Sequence, residues 1–429
     1  MKKVSVISLG CAKNRVDSEI IAAKLAMKGY VITFPEDSTL VILNTCAFIK
    51  DAVYESQQWI EKLIKERKKV VVVGCLVERF KEKIKEIYPE VKQVVGIDGF
   101  YNIEKIVSSE DSFYSDSKEW LPLSHMPRII STPGAYSYVK IAEGCSNHCA
   151  YCTIPLIRGE LRSRRIEDII KEVNILAQNG IKEIVIIAHD PTSYGIDLYG
   201  KSKLTELLLK IEKIKNLKWI RVMYLYPTGV EKKLVETIKN SEKILNYIDI
   251  PIQHASNKIL KRMGRRYNSD YLKRVIETLK ENNFVIRTTV MVGFPGEKEK
   301  DFKELEDFLK WAEFDHLGIF RYSDEPETLS FKMKEKVPEK IKEEREKRLM
   351  LLQKEIALKK AKSLEGREVE GVVDYSDSQS SYGRTWQDAP EVDRKVVFRK
   401  IIAPGKFIKF KIKKIEEEKI YADTSSLWS

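Results

Sequence analysis

The stretch GCSNHCAYC, residues 144–152, places three cysteines in one short loop, and the interpretation of the whole fold starts from it. Cys145, Cys149 and Cys152 have no fourth cysteine nearby. Structural zinc sites usually combine Cys-x2-Cys pairs from two loops, and this sequence has no second pair. Thiolate-only ligation in a compact loop favours an iron–sulfur cluster with one open iron position. Zinc with His148 as the fourth ligand is the alternative.

The cysteine loop follows the first of six strand-like segments that alternate with helical patterns. The segments are YSYVKIA, EIVIIA, WIRVMYL, YIDIPIQ, FVIRTTVMV and HLGIFRY. Such an alternation predicts parallel strands joined by crossover helices, and six units indicate a partial TIM-like (β/α)6 barrel within an α/β fold. Active groups in these barrels lie where the strands end, so we expect the loop at the mouth of the barrel.

A second cysteine set lies in residues 1–107, where apolar runs again alternate with helical patterns. The runs VSVISL, LVILNT and KVVVVG are unbroken, as in buried parallel strands, and predict an open parallel α/β domain. Cys11, Cys46 and Cys75 each follow one of these runs. A single Cys is often only a small core residue. Because parallel strands end at the same edge of a sheet, we nevertheless expect the three thiols to converge.

The remaining segments complete a predicted order of five parts. Residues 108–135 have the Ser- and Pro-rich composition of a linker between the first domain and a barrel at residues 136–330. Residues 331–364 predict a charged, solvated connecting helix. Short alternating runs in residues 365–429 predict a small antiparallel β-barrel.

The overall composition limits the cellular locations and the binding partners that we expect for this protein. The chain has 429 residues and a formal net charge of +12, from 76 Lys and Arg against 64 Asp and Glu. Its positive charge would suit nucleic acid or a ribonucleoprotein. No segment approaches the roughly 20 apolar residues of a membrane helix, and the first apolar run is too short for a secretion signal. We therefore expect a cytoplasmic protein with no membrane partner, in which reduced cysteines serve as metal ligands or redox groups.

Polar side chains follow two further strands of the predicted barrel. Asp190 and Tyr194 belong to HDPTSYG after the second strand, and Gln253 and His254 belong to PIQHAS after the fourth. Their position at strand ends favours a catalytic role for this set. Glu297 of GFPGE is a candidate for cofactor binding, although an acidic residue in the first turn of a helix also has a purely structural explanation.

Cys-x3-Cys-x2-Cys after the first strand of a βα barrel resembles the radical S-adenosylmethionine (SAM) superfamily. The resemblance implies that the open iron binds SAM and that an electron from the cluster cleaves SAM to a 5′-deoxyadenosyl radical. It also implies that Tyr151, directly before the last cysteine, lies beside the adenine.

The resemblance extends along the chain to the methylthiotransferases. It rests on SLGCAKN, NTCAFI, VVGCLV, IPLIRGELRSR, YLYPTG and TTVMVGFPGE. That family implies a second cluster on Cys11, Cys46 and Cys75, hence two [4Fe-4S] clusters, and a TRAM-like terminal barrel. It also implies one SAM as methyl donor, another as radical source, and an electron donor such as flavodoxin or ferredoxin. A radical suits the chemistry because no side chain deprotonates an unactivated C–H bond at neutral pH.

Two substrates compete within that family: an adenosine of transfer RNA, and the β-carbon of an aspartate in small-subunit ribosomal protein number twelve, free or on the ribosome. Residues 365–429 hold 12 Lys/Arg and 12 Asp/Glu, whereas a barrel that binds RNA phosphates should be basic. DIPIQHAS, YGRTWQDAPEVD and HDPTSYG resemble the ribosomal-protein branch, and the transfer-RNA branch usually has Ser-Gly where His254 and Ala255 stand. The sequence therefore predicts the ribosomal protein as substrate, with transfer RNA as the alternative. A non-enzymatic iron–sulfur or zinc RNA-binding factor is the alternative from another class.

Two sets of charged side chains suggest contacts with these partners. Arg158 and the arginines of residues 162–165 would contact phosphate or an acidic substrate, or remain solvated. Acidic residues of the terminal barrel would suit a basic protein, or be ordinary surface: Asp374, Asp377, Asp388, Glu391 and Asp393.

Overall fold

The computed structural model describes residues 2–416 and 419–428, with side chains described as far as Asp423. Glu417, Glu418 and Ser429 of the predicted terminal barrel therefore lie outside the described residues. Three sheet-based units follow one another along the chain: an open five-stranded sheet, a six-stranded sheet and a closed five-stranded barrel. Within the described ranges, every helix is too short or too polar to span a lipid bilayer.

The amino-terminal unit is a parallel sheet flanked by helices. Its strands are β1 (Lys3–Ser8), β2 (Val31–Ile32), β3 (Leu40–Thr45), β4 (Lys69–Gly74) and β5 (Gln93–Val95). Its helices are α1 (Ala12–Met27), α2 (Lys50–Lys65), α3 (Cys75–Phe80), α4 (Lys83–Ile87) and α5 (Ile103–Ile106). The strand order is β2-β1-β3-β4-β5, and all pairs are parallel. The predicted open parallel α/β domain is confirmed.

The central unit is a parallel six-stranded barrel that does not close. Its strands and an accessory pair are β6 (Tyr136–Lys140), β7 (Ala142–Glu143), β8 (Arg162–Ser163), β9 (Glu183–Ile187), β10 (Trp219–Val222), β11 (Ile244–Asp249), β12 (Val285–Val292) and β13 (His316–Arg321). Its helices are α6 (Ile154–Arg158), α7 (Ile166–Gln178), α8 (Ile196–Tyr199), α9 (Leu204–Glu212), α10 (Lys232–Lys239), α11 (Asn257–Arg262), α12 (Ser269–Glu281) and α13 (Glu299–Ala312). The order β13-β12-β11-β10-β9-β6 confirms the predicted (β/α)6 barrel.

The amino-terminal unit packs against the interior of this barrel. Side chains alternate along β9, so that Ile184 and Ile186 join the outer core with the helices, whereas Val185 and Ile187 join the core of the amino-terminal sheet. The predicted linker is part of this packing. Its Trp120 is fully buried and donates through Nε1 to the Asp17 carboxylate of α1 at 2.9 Å.

The carboxy-terminal part contains one long helix and a closed barrel. These elements are α14 (Glu339–Lys362), β14 (Glu368–Ser376), β15 (Ser381–Thr385), β16 (Lys395–Phe398), β17 (Phe407–Glu416) and β18 (Lys419–Trp428). The small barrel is confirmed, although β16 and β18 pair in parallel while its other pairs are antiparallel. Helix α14 begins after Pro338, where the sequence predicts a charged, solvated connecting helix. Most of its side chains are exposed, but it buries one face, including Leu349 and Ile356, against the rest of the chain.

The loop between β15 and β16 is inserted at the amino end of the six-stranded barrel. Asp393 accepts hydrogen bonds from the Tyr247 hydroxyl at 2.6 Å and from Arg287 at 3.2 Å. Glu391 accepts a hydrogen bond from the Tyr136 hydroxyl at 3.0 Å. These carboxylates join the terminal barrel to the central one.

The hypothesis that the acidic residues of the terminal barrel face a basic partner is therefore wrong for most of them. Glu391 and Asp393 bind the central barrel, and Asp374 and Asp388 pair with arginines of their own barrel. Asp377 and Glu391 are the exposed members of this acidic set. Glu391 also pairs with Arg15 at 2.9 Å, and Asp377 accepts hydrogen bonds from backbone amides of its own turn.

Candidate active site

Cys11, Cys46 and Cys75 lie at the carboxyl ends of three neighbouring strands, as predicted. Cys11 caps α1 after β1, Cys46 follows β3, and Cys75 begins α3 after β4. Gly10 has φ +84°, and a Cβ there would lie 2.7 Å from the Cβ of Cys46 and 2.9 Å from its Sγ. The turn that carries Cys11 therefore directly contacts Cys46.

Cys145, Cys149 and Cys152 form the loop between β7 and α6 at the mouth of the six-stranded barrel. Gly144 precedes this loop with φ +70°, and a Cβ there would collide with the carbonyl oxygen of Glu160. Only glycine fits this position, because any side chain would push the returning strand away. The backbone thus folds the three cysteines into one compact turn.

The thiols in each trio influence one another electrostatically. Burial, followed by the neighbouring Cys75 and Cys11 thiols, raises the pKa of Cys46 to about 12. Burial also raises the pKa of Cys152 to about 12, with further contributions from Cys149 and Cys145. Three clustered thiolates are costly without a compensating cation, and ligation to iron requires thiolates. The chemistry of each donor set therefore fits an iron–sulfur cluster.

Three N–H groups point at these sulfur atoms. Arg158 Nη2 lies 3.3 Å from the Cys75 Sγ, and Arg265 Nη1 lies 3.3 Å from the Cys149 Sγ. Asn147 Nδ2 lies 3.5 Å from the Cys145 Sγ. Hydrogen bonds to ligating sulfur stabilise the negative charge of a bound cluster and tune its potential. The hydrogen-bond donors beside each cysteine trio are therefore also compatible with a bound iron–sulfur cluster.

The zinc alternative finds no support in the geometry. Among the described residues, no group of three or more His, Cys, Asp or Glu side chains is placed to hold a single metal ion. His148 faces the Glu160 carboxylate at 3.3 Å, with 58% of its side chain exposed. In an iron–sulfur cubane each thiolate binds a different iron, so three thiolates need not surround one point.

The two cysteine loops meet across one interface between the amino-terminal sheet and the barrel. Thr153, next to Cys152, donates through its hydroxyl to the carbonyl oxygen of Phe48 at 3.0 Å, two residues beyond Cys46. Arg158 extends from the same loop to the first trio, because its Nη2 contacts Cys75. Both trios therefore border the same space at the barrel mouth.

A buried ion network supports this interface. Lys140 Nζ lies 2.5 Å from Asp17 and also contacts Glu143. Arg158 Nη1 lies 2.9 Å from Asp17 and 3.2 Å from Glu143. Burial alone would raise the pKa of Glu143, but Lys140 and Arg158 outweigh it and lower that pKa.

The interpretation of the arginines as phosphate or substrate ligands is consequently wrong for Arg158 and Arg164. Arg158 belongs to the buried network, and Arg164 is buried against Asp168 at 2.6 Å and Glu172 at 2.5 Å. The short spacing of these arginines in the sequence resembles a basic surface patch. The sequence does not show that they pair with buried carboxylates in the folded protein.

Asp190 lies three residues after β9 and supports the second cysteine loop. Its Oδ2 accepts a hydrogen bond from Asn147 Nδ2 at 2.7 Å, and Asn147 also contacts Cys145. Tyr194, four residues later, is fully buried and donates through its hydroxyl to the Arg164 carbonyl oxygen at 2.8 Å. The structure therefore brings Asp190 to the site but places the Tyr194 hydroxyl within the core.

Gln253 and His254 follow β11. Gln253 has φ +66°, and its amide donates to the Thr289 carbonyl oxygen of β12 at 2.9 Å. His254 is fully buried, and its Nδ1 accepts from the Ser256 amide at 2.9 Å. That bond places the ring proton on Nε2, which lies 3.5 Å from Oε2 of Glu297.

Glu297 connects the turn after β12 to the long helix α14. Its Oε2 accepts from the Gly293 amide at 2.8 Å and the Phe294 amide at 3.3 Å. Its Oε1 accepts from Arg345 at 2.7 Å. Lys298 caps α13, so Glu297 lies before the helix rather than in its first turn.

Tyr151 and Arg265 lie together beside the second cysteine loop. The Tyr151 ring packs edge-on against Phe294 with centroids 6.4 Å apart, and Arg265 Nη1 lies 3.4 Å from its hydroxyl. The guanidinium of Arg265 also stacks 4.3 Å from the Tyr226 ring centroid. Sequence reasoning missed Arg265, for which no local pattern gives a signal.

A second group that sequence reasoning missed surrounds Lys13. Its Nζ lies 3.7 Å from the ring centroid of Tyr224, whose amide donates to Asp249 Oδ2 at 3.1 Å. Burial raises the pKa of Asp249 to about 6. Burial, followed by Lys13, lowers the pKa of His189 well below its ordinary value. Tyr224, Asp249 and His189 lie at or just after strand ends, and Lys13 lies in the first turn of α1, two residues after Cys11. These positions are the sequence signal that could have found them.

Family models match three segments of the chain. They are the Radical SAM superfamily at residues 139–309, the uncharacterized protein family UPF0004 at residues 3–96, and the TRAM domain at residues 366–424. Among solved structures, the fold is similar to TsrM, a radical SAM methyltransferase from Kitasatospora setae with cobalamin and a [4Fe-4S] cluster bound. The TM-score is 0.57 at 14% identity, over 77% of each chain.

Curated relatives match nearly the whole chain. The ribosomal protein uS12 methylthiotransferase RimO of Aquifex aeolicus is 41% identical over 423 residues, which are 97% of this chain and 95% of that protein. The enzyme of the same name from Dictyoglomus thermophilum is 45% identical over 430 residues, which are 96% of this chain and 98% of that protein. The chain therefore belongs to the uS12 methylthiotransferase RimO family of radical SAM enzymes.

Proposed function

We infer that this protein is a radical SAM methylthiotransferase that acts on ribosomal protein uS12. The observation that carries this inference is that two cysteine trios border one space at the mouth of a radical SAM barrel. The names of its full-length relatives identify the substrate protein. SAM and an iron–sulfur cluster are its cofactors. Transfer RNA as substrate and a non-enzymatic role are not favoured.

We propose that each trio holds a [4Fe-4S] cluster, so that the enzyme carries two. One is held by Cys145, Cys149 and Cys152, and the other by Cys11, Cys46 and Cys75. When bound, these groups supply the electron that cleaves SAM and an iron site for the sulfur to be transferred. The proposal is supported by the mutual influence of the thiols and by the N–H donors that face them. One SAM would serve as methyl donor and another as radical source, with electrons from a protein such as flavodoxin or ferredoxin.

The remaining site residues are proposed to position these groups. Asp190 fixes the cysteine loop through Asn147, since its carboxylate accepts from that amide. Tyr151 is proposed to lie against the adenine, because its ring borders the cysteine loop. A catalytic role of Gln253 stays a prediction.

Three further residues of the predicted site have contacts that support structural roles. His254 and Glu297 face each other beneath the turn after β12, and both carboxylate oxygens of Glu297 are occupied within the chain. The Tyr194 hydroxyl is bonded within the core. We propose that these side chains stabilise the barrel mouth rather than contact the reacting atoms.

The reacting carbon is proposed to be the β-carbon of an aspartate in uS12. Its C–H bond carries no proton that a side chain removes at neutral pH, so the protein contributes by orientation and by excluding water. The interface between sheet and barrel is suited to this task, because buried residues line it on both sides.

The test offers uS12 and transfer RNA separately to the anaerobically reconstituted protein, with SAM and a chemical reductant. Mass spectrometry should find a thiomethyl group on an aspartate of uS12, and thiomethylation of transfer RNA alone would contradict the proposal. Cys149→Ala should abolish 5′-deoxyadenosine formation. Cys75→Ala should still form 5′-deoxyadenosine but no thiomethyl product, because only the cluster at Cys11, Cys46 and Cys75 is lost.

A further inference from the structure

Lys13 is a buried cation without a carboxylate partner in the described part of the chain. Its side chain rests on the face of Tyr224. Every other buried Lys or Arg side chain there is paired with a carboxylate; these are Lys140, Arg158, Arg164, Arg221, Lys342, Arg345 and Arg384. An ammonium removed from water and left unpaired is costly, so buried lysines are normally paired. Lys13 departs from this rule within its own protein.

The position of Lys13 relates it to the reaction site. It lies two residues after Cys11 at the start of α1, and its ring contact, Tyr224, follows β10. The charges that act on it include Cys11 and Asp249, the last residue of β11. The ammonium therefore lies between the first cysteine trio and the strand ends of the barrel. His189, after β9, adds a ring nitrogen, Nδ1, that has no hydrogen-bond partner among the described residues.

We propose that Lys13 binds the side-chain carboxylate of the aspartate that is methylthiolated, and thereby makes the enzyme specific for aspartate. This rests on the proposed function, in which the β-carbon reacts. The carboxylate is one bond from that carbon, so an ion pair with Lys13 would fix the direction of the C–H bond. The substrate would supply the partner that the folded chain lacks. Lys13 makes and breaks no covalent bond in this role.

Two competing roles for Lys13 would give different results. If Lys13 only compensates the charge of the cluster at Cys11, its replacement should change the cluster spectrum and weaken aspartate and asparagine substrates equally. If it binds the carboxylate of SAM, its replacement should raise the KM for SAM and leave the preference for aspartate intact.

The experiment compares binding of two fluorescent peptides that copy the modified segment of uS12, with either Asp or Asn at the target position. Binding to the reconstituted holoenzyme is measured by anisotropy without reductant, so that no turnover occurs. The wild type should bind the Asp peptide about 10- to 100-fold more tightly than the Asn peptide. Lys13→Met should bind both with the weaker affinity, and Lys13→Arg should recover part of the preference.

Lys28→Met is the matched control, because Lys28 is exposed at the other end of α1. It should keep the wild-type preference. Iron content and 5′-deoxyadenosine formation check that Lys13→Met is folded and loaded. If Lys13→Met still prefers the Asp peptide, the proposed role of Lys13 is overturned, but the proposed function of the enzyme is not. A wild type that neither binds nor modifies the Asp peptide would instead overturn the proposed substrate, and the role of Lys13 with it.

Discussion

Gly10 is the residue at which the first cysteine trio depends on the absence of a side chain. A Cβ there would lie 2.7 Å from Cys46, closer than two carbon atoms pack. Gly10→Ala should displace Cys46 and prevent assembly of the cluster at this trio, while the loop at Cys145 is unaffected. We expect iron per chain after anaerobic reconstitution to fall by about half.

The control for this prediction is Gly29→Ala. Gly29 has a similar φ of +90°, but a Cβ there would have no atom within 4 Å. The substitution should cost about 1–2 kcal/mol of backbone strain and leave the iron content unchanged. Full iron content in Gly10→Ala would show that the trio does not need this close approach.

Asp249 should make stability depend on pH in the direction opposite to that of an ordinary paired carboxylate. Burial raises its pKa from 3.8 to about 6, against the attraction of Arg287 and Lys13 and with help from Asp393. The folded protein therefore holds this proton more tightly than the unfolded chain. The resulting stabilisation is complete below the unfolded pKa and is lost as the pH rises through about 6.

Asp249→Asn should remove this dependence. From about pH 4 to about pH 8, the free energy of unfolding of the variant should gain about 2.5 kcal/mol relative to the wild type. Urea unfolding of both proteins at both pH values measures the difference. The pH dependence that comes from the other carboxylates is the same in both proteins and therefore cancels. A difference that stays constant with pH would contradict the assignment. The imidazole of His189 is also near the site, but burial keeps its pKa low.

At the scale of elements, Glu297 joins the turn after β12 to α14. Its carboxylate accepts from two backbone amides and from Arg345, with all partners buried. Glu297→Gln should lower the free energy of unfolding by about 3 kcal/mol, because the buried Arg345 then keeps only the longer contact with the exposed Glu299 at 3.5 Å. Chemical denaturation measures this loss.

Glu299→Gln is the matched control for that prediction. Glu299 also pairs with Arg345 of α14, but its side chain is 65% exposed. Its loss should therefore cost less than about 1 kcal/mol. If Glu297→Gln instead leaves stability unchanged and raises the KM for SAM, Glu297 contacts the cofactor directly, as the sequence suggested.

Over the whole molecule, buried ion pairs join the terminal barrel to the central barrel. Arg384 of β15 contacts Glu183, the first residue of β9, and pairs with Asp374 at 3.0 Å. Arg384→Met should destabilise the protein by about 3–5 kcal/mol, because it leaves Glu183 with Arg221 alone. Calorimetry should then show the terminal barrel unfolding before the rest.

Arg399→Met provides the comparison, since Arg399 is exposed on the same terminal barrel. This variant should unfold as the wild type does. A single unchanged transition in Arg384→Met would mean that the buried pair does not couple the two barrels.

Much of the architecture follows from local patterns. Unbroken apolar runs predicted the strands of the amino-terminal sheet, and the alternation of strand-like and helical patterns predicted those of the central sheet. Composition was a poorer guide for the predicted linker, because its Ser and Pro residues surround the fully buried Trp120. The predicted domain boundaries at residues 107, 135, 330 and 364 stay predictions.

The sequence by itself determined the two cysteine sets, the order of strands and helices, and the family, because spacing and periodicity are local properties of the chain. Only the tertiary structure decided which charges are paired and which are not. Arg158 reaches Asn14 across 144 positions, and Trp120 reaches Asp17 across 103. No local pattern encodes such pairings, since the chain must fold before partners so distant in sequence meet. The lack of a carboxylate partner for Lys13 could be recognised only from the structure for the same reason, because it requires the positions of all neighbouring side chains.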